Sequence, residues 1–381
     1  MIDKRIGILG GGQLGKMIYS AGSQMNIKLS YLDQSKDSPT GQVCMAFEVG
    51  DITAYDDVLS FGRKNDIISI EIEKVNVEAL KQLQKEGKSV CPSPGIIEMI
   101  QDKGLQKEFY KSNDIANSPF ILVEGEDEIN NLIEKGQLTF PFVQKSRKGG
   151  YHGQGVAVIN NESDLNKLLP VPSVIEDLVA IEKEIAVIVC RNRNGEVAIY
   201  DPVEMVFDPQ ANLLDYHLAP ANLSNDSVKE VFELAMKMAN TLSLEGILAI
   251  ELFLDQNDQI IVNEMAPRPH NSGHHTIESC FTSQYENMLR AILNQSLGRP
   301  EILCPSILIN LLGSAGYSGD TVYTGLEEIL NVRGSNLHLY GKSQTKPFRK
   351  MGHVTLLHDK NYVPLESKDL IKSVFKTKPV N

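Results

Sequence analysis

Two apolar segments, each with one glutamate and separated by a short polar turn, constrain the fold of this chain most strongly. Residues 246–255 read GILAIELFLD, residues 259–266 read QIIVNEMA, and the turn between them is centred near Asn257. This pattern predicts a β-hairpin. Residues of an antiparallel hairpin face each other at a roughly constant index sum, so Glu251 is expected almost opposite Glu264.

Opposed carboxylates held in apolar strands require a compensating positive charge. Facing side chains lie about 5 Å apart, and like charges at such positions destabilise the strand pair. Mg²⁺ suits the space between Glu251 and Glu264, because it prefers one or two carboxylates and completes its octahedron with water and nucleotide phosphate. The alternative is two solvated glutamates on an edge hairpin.

The segment that follows Glu264 favours the metal and nucleotide interpretation. Within residues 268–275 the chain concentrates polar, ligand-type side chains, which are Arg268, His270, Asn271, His274 and His275. Prolines and a glycine exclude a regular helix or strand here, and irregular loops at strand ends commonly carry ligand sites. A zinc site is disfavoured, because no cysteine is near and the spacing matches no common zinc pattern. We predict an anion-binding loop beside a Mg²⁺–nucleotide site.

Composition excludes several other classes of protein. A chain of 381 residues is expected to form two or three domains. Its net charge of −12 argues against general nucleic-acid binding. Five scattered cysteines without a Cys-x-x-Cys pair predict no disulfide framework, which suits a reducing cytoplasm. We expect no signal peptide and no membrane span, since no apolar run approaches about 20 residues.

The N-terminal residues carry a glycine-rich loop in a strand–loop–helix context. Residues 5–9 predict a short strand, residues 10–15 read GGGQLG, and a second strand over residues 28–32 ends at Asp33. This Gly-x-Gly-x-x-Gly arrangement, with Asp33 near the expected acidic position, is typical of a dinucleotide site, so a nicotinamide cofactor is one interpretation. The glycines themselves require only a close approach to a phosphate or to a packed helix.

The rest of this region continues as alternating strands and helices. One strand ends in the acidic pair Glu71 and Glu73, and two prolines then precede a helix that is predicted to run through Lys103 and Lys107. We therefore expect residues 1–103 to form an open α/β domain with a parallel, Rossmann-like sheet.

A second domain is expected over residues 104–181. Its central feature is a strand carrying Lys145, followed by the loop KGGYHGQG at residues 148–155 and a further strand. Glycine N–H groups can approach phosphate oxygens and a mobile loop can close, so this layout predicts a phosphate-covering flap with Lys145 as a point charge. An ordinary glycine hairpin is the alternative. Glu176 is a candidate contact for adenine and ribose.

Strands dominate the expected third domain, residues 182–381. Two short strands, over residues 338–342 and 348–355, carry a cluster of cations, which are Lys342, Lys346, Arg349 and Lys350. A phosphate-bearing substrate is the functional interpretation of this cluster. A solvated basic edge is the alternative.

These motifs resemble one known family. The run NEMAPRPHNSGH at residues 263–274, GQLG at 12–15, EIE at 71–73 and RKMGH at 349–353 are similar to the ATP-grasp enzymes, and closely to the 5-(carboxyamino)imidazole ribonucleotide synthases of purine biosynthesis. The resemblance covers the whole chain. It implies an α/β (α+β) ATP-grasp fold, with an N-terminal open parallel-sheet domain, a small flap domain, and a larger sheet domain with a C-terminal β-rich segment.

The resemblance also implies a reaction. ATP and bicarbonate would form carboxyphosphate, which carboxylates the exocyclic amine of aminoimidazole ribonucleotide. Since the family's glycine loop helps to build the ribonucleotide site, the nicotinamide interpretation is removed. The family further implies a homodimer, a cytoplasmic location and a functional link to the mutase of the next pathway step.

Roles for individual residues follow from the resemblance by motif. ATP would be bound by Lys103, Lys145, Gly150, Tyr151, Gly153, Gly155, Glu176, Asp177, Leu178, Val179, Glu184, His217, Asn263 and Glu264. The ribonucleotide and bicarbonate would be surrounded by Gln13, Leu14, Glu73, Tyr151, Arg268, His270, Asn271, Lys342, Arg349 and Lys350. Glu251 and Glu264 would hold Mg²⁺, with Mn²⁺ as the alternative metal. The residues expected to act in catalysis are His152, Lys342 and Arg268.

The flap departs from the family pattern. The family reads Gly-Gly-Tyr-Asp-Gly followed by Lys or Arg and Gly, whereas this chain has His152 in place of the aspartate and Gln154 in place of the base. That aspartate is a proposed proton carrier. Three hypotheses therefore stand: an active synthase with a modified flap, an ATP-grasp ligase for a different amine or acid, and a degenerate nucleotide-binding or interaction protein.

Overall fold

The computed structural model of this chain describes residues 3–149, 155–208, 213–358 and 365–378. Within these ranges it contains a five-stranded, a four-stranded and a nine-stranded sheet, with two additional two-stranded ribbons. No helix in the described ranges is both long and apolar enough to cross a membrane. The predicted mixed α/β architecture is confirmed.

The N-terminal region is an open parallel sheet covered by helices. Its elements are β1 Arg5–Leu9, α1 Gln13–Gln24, β2 Lys28–Asp33, β3 Phe47–Val49, α2 Tyr55–Arg63, β4 Ile67–Ile70, α3 Val77–Lys85, β5 Ser89–Val90, α4 Pro94–Ile100 and α5 Lys103–Ser112. The strands are parallel in the order β3-β2-β1-β4-β5. Apolar side chains such as Ile8, Ile68 and Leu80 are buried between the sheet and its helices.

The strand order explains why two distant motifs meet. The order reverses between β1 and β4, and ligands of open α/β sheets bind at such a switch point, beyond the carboxyl ends of the strands. The glycine loop at residues 10–15 follows β1, and Glu71 and Glu73 follow β4. Both motifs therefore lie at the same edge of the sheet.

The prediction of a single helix running through Lys103 and Lys107 is wrong. This segment forms two helices, α4 and α5. Asp102 caps the second helix by accepting hydrogen bonds from the N–H groups of Gly104 (2.8 Å) and Leu105 (3.4 Å). Arg147 holds the capping carboxylate with two hydrogen bonds of 2.9 Å. Lys103 is consequently the first residue of α5.

The next region forms a small antiparallel sheet. Its elements are β6 Phe120–Val123, α6 Glu126–Glu134, β7 Phe142–Ser146, β8 Val156–Ile159, a 3₁₀ helix Glu162–Lys167 and β9 Ser173–Asp177, with the strands in the order β6-β9-β7-β8. Ile129 of α6 packs with Phe142 and Ile159 in its core. The glycine-rich segment expected to act as a flap connects β7 to β8.

A nine-stranded sheet dominates the remainder of the chain. The elements through residue 292 are β10 Ile181–Arg191, β11 Val197–Ile199, β12 Val203–Asp208, β13 Leu213–Ala219, α7 Asn225–Thr241, β14 Gly246–Asp255, β15 Ile260–Ala266, a 3₁₀ helix Asn271–Gly273, α8 Thr276–Ser279 and α9 Gln284–Ile292. Those that follow are β16 Ser306–Leu312, β17 Gly319–Asp320, β18 Val322–Thr324, α10 Leu326–Leu330, β19 Ser335–Leu339, β20 Gln344–Thr345, β21 Lys350–Leu357, α11 Leu365–Val374 and β22 Lys376–Lys378. The sheet runs β15-β14-β10-β12-β13-β16-β21-β19, and β11 pairs with β10.

The two cation-bearing strands near the C-terminus have different bounds from those predicted. β19 ends at Leu339 and β21 begins at Lys350, so Lys342 and Arg349 lie outside both strands. Gly341 (φ +80°) and Phe348 (φ +63°) adopt left-handed backbone conformations that an extended strand cannot accommodate. Lys342, Lys346 and Arg349 therefore lie on the connection between these two strands, and Lys350 begins β21.

Candidate functional site

The predicted hairpin of β14 and β15 is present, and it places the two glutamates opposite each other. Glu251 pairs with Glu264, and the register shifts by one residue immediately afterwards. Burial raises the pKa of Glu251, and the charges of Glu264 and Glu184 raise it further. The positive charge of Lys103 lowers the pKa of Glu264. The hairpin itself carries no lysine, arginine or histidine, so any compensating positive charge must come from other segments.

A lysine and a histidine from other segments approach this carboxylate pair. The Lys103 ammonium, at the start of α5, donates a hydrogen bond to Oε2 of Glu264. Nε2 of His270 lies 3.3 Å from Oε1 of Glu251. The His270 ring is fixed from its other side, because Nδ1 is 2.8 Å from the Ser272 hydroxyl.

The donor set fits a divalent cation that also binds a phosphate. Among the described residues no group of three or more His, Cys, Asp or Glu side chains could hold a metal by itself. Mg²⁺ does not need such a group, because it is commonly bound by one or two carboxylates plus substrate phosphates and water. Glu251 and Glu264 could supply the two carboxylates, and burial together with the charges of Glu264 and Glu184 raises the pKa of Glu251.

The small sheet contributes a buried charge cluster that contacts the hairpin. The Lys145 ammonium on β7 donates to Glu176 Oε2 on β9 and to Asn263 Oδ1 on β15, both at 2.9 Å. Nζ of Lys107 lies 3.3 Å from the other oxygen of Glu176. Glu184, on β10, is also close enough for the Lys145 charge to affect it, although burial raises the pKa of Glu184 overall. The predicted nucleotide residues of both sheets therefore meet.

Lys107 is a member of this cluster that the sequence did not single out. Its side chain is only 3% exposed, and burial lowers the pKa of Lys107 to about 8. The sequence held one indication that Lys107 belongs to the site: it lies four residues after Lys103, and this spacing places both lysines on one face of a helix. The partner that gives Lys107 its importance, Glu176, lies far away in the chain.

The other predicted nucleotide residues lie near the connection from β9 to β10 and in the glycine-rich segment before β8. Asp177 ends β9, and its N–H donates to Pro119 O at 3.1 Å. Leu178, which is 43% exposed, and Val179 lead directly into β10. Gly155 precedes β8 with φ +75°, and its carbonyl accepts the N–H of Ser146 at 2.8 Å. Gly150, Tyr151, His152 and Gly153, together with Gln154, lie outside the described residues.

His217 lies inside the large sheet. It is fully buried on β13, with its ring centroid 5.0 Å from that of His275. Neither ring nitrogen has a hydrogen-bond partner among the described residues. Burial lowers the pKa of His217 well below its usual range, so the ring is neutral near pH 7.

A second group of polar side chains lies next to the hairpin, where the loop after β15 approaches the N-terminal region. Nε of Arg268 is 2.8 Å from Oε1 of Glu73, and Arg268 also donates to Pro269 O. The Asn271 amide donates to Asn310 Oδ1 at 3.3 Å. Glu73 Oε2 and Asn271 Oδ1 are buried without a hydrogen-bond partner among the described residues. Unpartnered buried oxygens of this kind require an explanation, and a polar ligand provides one.

The glycine loop has no free helix end to offer a dinucleotide. Asp33 accepts the N–H of Gly11 at 2.7 Å, and Glu71 accepts those of Gly12 and Gly15, each at 2.9 Å. The Glu71 carboxylate therefore occupies the position at the start of α1 where a pyrophosphate would bind in a dinucleotide site. The nicotinamide interpretation is wrong for this reason. Gln13 and Leu14 begin α1 beside this carboxylate.

The prediction that all the histidines of residues 268–275 belong to an anion-binding loop needs correction. His274 is fully buried, its Nδ1 is 2.6 Å from the Tyr285 hydroxyl, and its ring stacks on His353 at 4.8 Å. His275 Nδ1 is 3.0 Å from Ser272 O. Burial lowers the pKa of both rings, so neither carries a charge for an anion. Only Arg268 and His270 of this loop face charged groups of the site.

The basic cluster is also not a simple solvated edge. Lys342 donates to the carbonyl of Lys350 at 2.7 Å. Burial lowers the pKa of Lys342 to about 7 and that of Lys350 to about 8. Arg349 is partly buried and donates to Gln344 O at 2.6 Å. Lys346 is exposed to solvent.

Comparison with known proteins relates this geometry to three families of domain. Residues 3–101 match the ribonucleotide synthetase preATP-grasp domain, residues 108–285 match the ATP-grasp domain, and residues 306–363 match the phosphoribosylaminoimidazole carboxylase C-terminal domain. These matches follow one another along almost the entire chain.

Similar full-length proteins and solved structures carry related names. The N5-carboxyaminoimidazole ribonucleotide synthase of Bacillus subtilis is 34% identical over 360 residues, covering 92% of this chain and 91% of that protein. The crystal structure of the synthetase from Thermotoga maritima is 41% identical with a TM-score of 0.89, covering 98% and 99% of the two chains. The Aspergillus clavatus enzyme, solved with ADP and 5-aminoimidazole ribonucleotide, is 29% identical with a TM-score of 0.88, covering 98% and 99%.

The buried cluster around Glu176 generates a prediction about stability. Glu176→Ala should lower the free energy of unfolding by about 3 kcal/mol, because it leaves the Lys107 and Lys145 ammonium groups buried without their carboxylate. Glu176→Gln should lose less, since an amide oxygen still accepts a hydrogen bond. Urea denaturation measures both, with Glu78→Ala as an exposed control that should match the wild type. A Glu176→Ala protein as stable as that control would contradict the assignment of this cluster.

Proposed function

The chain belongs to the N5-carboxyaminoimidazole ribonucleotide synthase family of ATP-grasp enzymes, and we propose from this premise how its residues share the ATP-dependent carboxylation of 5-aminoimidazole ribonucleotide. This reaction of purine biosynthesis takes precedence over the two alternatives, a ligase for another substrate and a degenerate nucleotide-binding protein. The observation that carries the proposal is the contact of three segments on one stretch of chain: Asn263 with Lys145, Glu264 with Lys103, and Arg268 with Glu73.

ATP lies between the small and the large sheet in this proposal. Lys103 and Lys145 provide positive charge for the phosphates, and Glu176 positions Lys145. The connection of Asp177, Leu178 and Val179, with Glu184 beyond it, receives the adenine and ribose. Gly155 at the flap's end and the flap residues Gly150, Tyr151 and Gly153 cover the phosphates. His217, on β13 of the large sheet, is a further proposed contact of ATP.

Glu251 and Glu264 would hold Mg²⁺ or Mn²⁺ next to the nucleotide phosphates. When bound, the metal compensates the charge that develops on the transferring phosphoryl group. Lys103 then serves both the metal site and the nucleotide, since its ammonium already contacts Glu264. His270 keeps the second carboxylate oriented.

The ribonucleotide and bicarbonate occupy the neighbouring half of the site. Glu73, Arg268, His270 and Asn271 surround the reacting groups. The unpartnered oxygens of Glu73 and Asn271 accept hydrogen bonds from the substrate. Gln13 and Leu14 at the start of α1 and the cations Lys342, Arg349 and Lys350 bind its phosphate side. A bicarbonate oxygen attacks the γ-phosphorus and releases ADP. The substrate amine then bonds to the carboxyl carbon, phosphate leaves, and one amine proton must be accepted by a base.

His152 is the proposed acceptor of that proton, in combination with the loss of a cation at Gln154. An unprotonated imidazole can act as a base near neutral pH, as the family's aspartate can. Arg268 and Lys342 act beside it by stabilising negative charge. We further propose that the protein is a cytoplasmic homodimer and that its product passes to the mutase of the next pathway step.

A first prediction concerns the metal site. Glu264→Ala should nearly abolish ATP turnover while leaving the fold intact, because the metal loses one of its two carboxylates. ADP release at several Mg²⁺ concentrations measures the loss, and circular dichroism verifies folding. Glu182→Ala, an exposed acid at the start of β10, serves as the control. Full ATP turnover in a folded Glu264→Ala protein would rule out this site.

A second prediction concerns the phosphate of the ribonucleotide. Arg349→Ala should raise the ribonucleotide KM about 10-fold or more, since a hydrogen bond to a charged group contributes about 1.5–3 kcal/mol. The KM for ATP should barely change. Arg349→Lys should restore only part of the affinity, because lysine cannot make a bidentate contact. Lys346→Ala is the matched control. An unchanged ribonucleotide KM in Arg349→Ala would show that Arg349 belongs to a solvated basic edge and does not bind the ribonucleotide.

A third prediction concerns His152. The rate of ribonucleotide-dependent ADP release should fall at acid pH, as a histidine with an unperturbed pKa of about 6.5 becomes protonated and stops acting as a base. His152→Ala should lose about 10²-fold or more in rate, with ATP binding little changed. The measurement is a pH–rate profile of both proteins. Identical rates and profiles would make His152 a bystander.

A further inference from the structure

A lysine of the first helix contacts the end of β19, an edge strand of the large sheet. Lys16, one turn into α1, donates from Nζ to the carbonyl oxygens of Leu339 (3.0 Å) and Tyr340 (3.4 Å). These carbonyls lie at and just beyond the end of β19. The contact joins the segment that carries the glycine loop to the segment that carries Lys342, more than 300 residues away in sequence.

A second side chain from the N-terminal region binds the next carbonyl. Gln42 donates from Nε2 to Gly341 O and to Asp37 O, both at 2.7 Å. Gly341 adopts φ +80°, and a Cβ at this position would lie 3.2 Å from Gln42 Oε1 and 3.5 Å from Lys16 Nζ. The turn therefore requires glycine for its backbone conformation, and it lies directly under both side chains.

The three carbonyls held in this way immediately precede Lys342. Beyond them, the Lys342 ammonium donates to Lys350 O, and the buried Tyr340 hydroxyl is 3.0 Å from His353 Nδ1. Lys342 is thus fixed on one side by the N-terminal region and on the other by β21.

The N-terminal segment that contains Gln42 also fixes the glycine loop. Thr40 is fully buried; its N–H donates to Gly11 O at 2.9 Å and its hydroxyl to Gly12 O at 3.0 Å. Lys16 directly follows Gly15, whose N–H binds Glu71. Hydrogen bonds therefore connect the glycine loop, residues 40–42 and the turn before Lys342 continuously.

Lys16 is not explained by an ordinary surface role. Within the described ranges no carboxylate forms an ion pair with it, whereas exposed lysines such as Lys28 and Lys64 do have acidic partners. Partial burial lowers the pKa of Lys16, and its ammonium group donates to carbonyl oxygens in the described part of the chain. A partly buried ammonium group directed at carbonyls serves to hold the backbone that provides them.

We propose that Lys16 and Gln42 are positioning residues that fix Lys342 relative to the glycine loop, and so determine the width of the site's ribonucleotide half. The inference rests on the proposed function, in which Lys342 and the start of α1 bind the ribonucleotide. Neither Lys16 nor Gln42 touches the substrate in this proposal; both act through the turn at Gly341.

The test measures the dissociation constant of 5-aminoimidazole ribonucleotide by calorimetry, with ADP present so that no turnover occurs. Lys16→Met should weaken ribonucleotide binding about 10-fold, from the loss of a charge-assisted hydrogen bond, while ADP binding stays unchanged. Lys16→Arg should retain most of the affinity, because it still donates to both carbonyls. Gln42→Ala should have a smaller effect, since its hydrogen bond is exposed to water. Lys64→Met, at an exposed ion pair, is the matched control.

A double-mutant cycle separates this inference from the function on which it rests. Lys342→Met should itself weaken ribonucleotide binding, and Lys16→Met should then add little, because Lys16 acts through Lys342. If Lys342→Met leaves ribonucleotide binding unchanged, the proposed role of Lys342 fails. If Lys342→Met weakens binding but Lys16→Met does not, or has the same effect in both backgrounds, the positioning role is overturned. An equal loss of ADP affinity in Lys16→Met would also overturn it, since that outcome reports only a general structural role.

Discussion

The opposition of Glu251 and Glu264 across the β14–β15 hairpin is the constraint on which the rest of the site depends. Two carboxylates that face each other in apolar strands are unfavourable unless cations surround them. The Lys103 ammonium meets this need in part, and the His270 ring, from a different segment, lies 3.3 Å from Glu251. Burial and the charges of Glu264 and Glu184 raise the pKa of Glu251, and a metal ion that arrives with a nucleotide would favour its ionised form. In the proposed function, the nucleotide and the substrate are placed relative to this pair.

Two connections link the hairpin to the other domains. The Lys145 ammonium contacts both Glu176 and Asn263, so the small sheet is attached to β15 one residue before the proposed metal ligand Glu264. On the other side, Glu73 and Arg268 join the N-terminal sheet to the loop after β15. In the proposed function, nucleotide and ribonucleotide bind on either side of this short stretch of chain, as a transfer from the γ-phosphate to a neighbouring carboxyl acceptor requires. On the proposed ribonucleotide side, Lys16 contacts Leu339 and Tyr340.

Features set by local sequence could be predicted, and features set by distant partners could not. The hairpin and its Glu251–Glu264 pairing followed from apolar patterning and turn position, and the parallel N-terminal sheet from alternating strands and helices. The break at Asp102 was missed because Arg147, 45 residues away, stabilises the cap. Glu71 was not recognised as the ligand of the glycine loop, because its partners are 59 and 56 residues earlier. The histidines His274 and His275 looked like ligands, since nothing local reveals that tertiary packing buries them. The chemistry of His152 stays a prediction.

The most direct test of this account is the location of the metal in a crystal of the protein grown with ADP and Mn²⁺, using the anomalous scattering of manganese. The account predicts an anomalous peak between the Glu251 and Glu264 side chains, with carboxylate oxygens from both residues and a phosphate oxygen of ADP within about 2.0–2.3 Å, the usual range for small divalent cations. A manganese peak elsewhere along the nucleotide, with both glutamates bound only by Lys103 and His270, would contradict it.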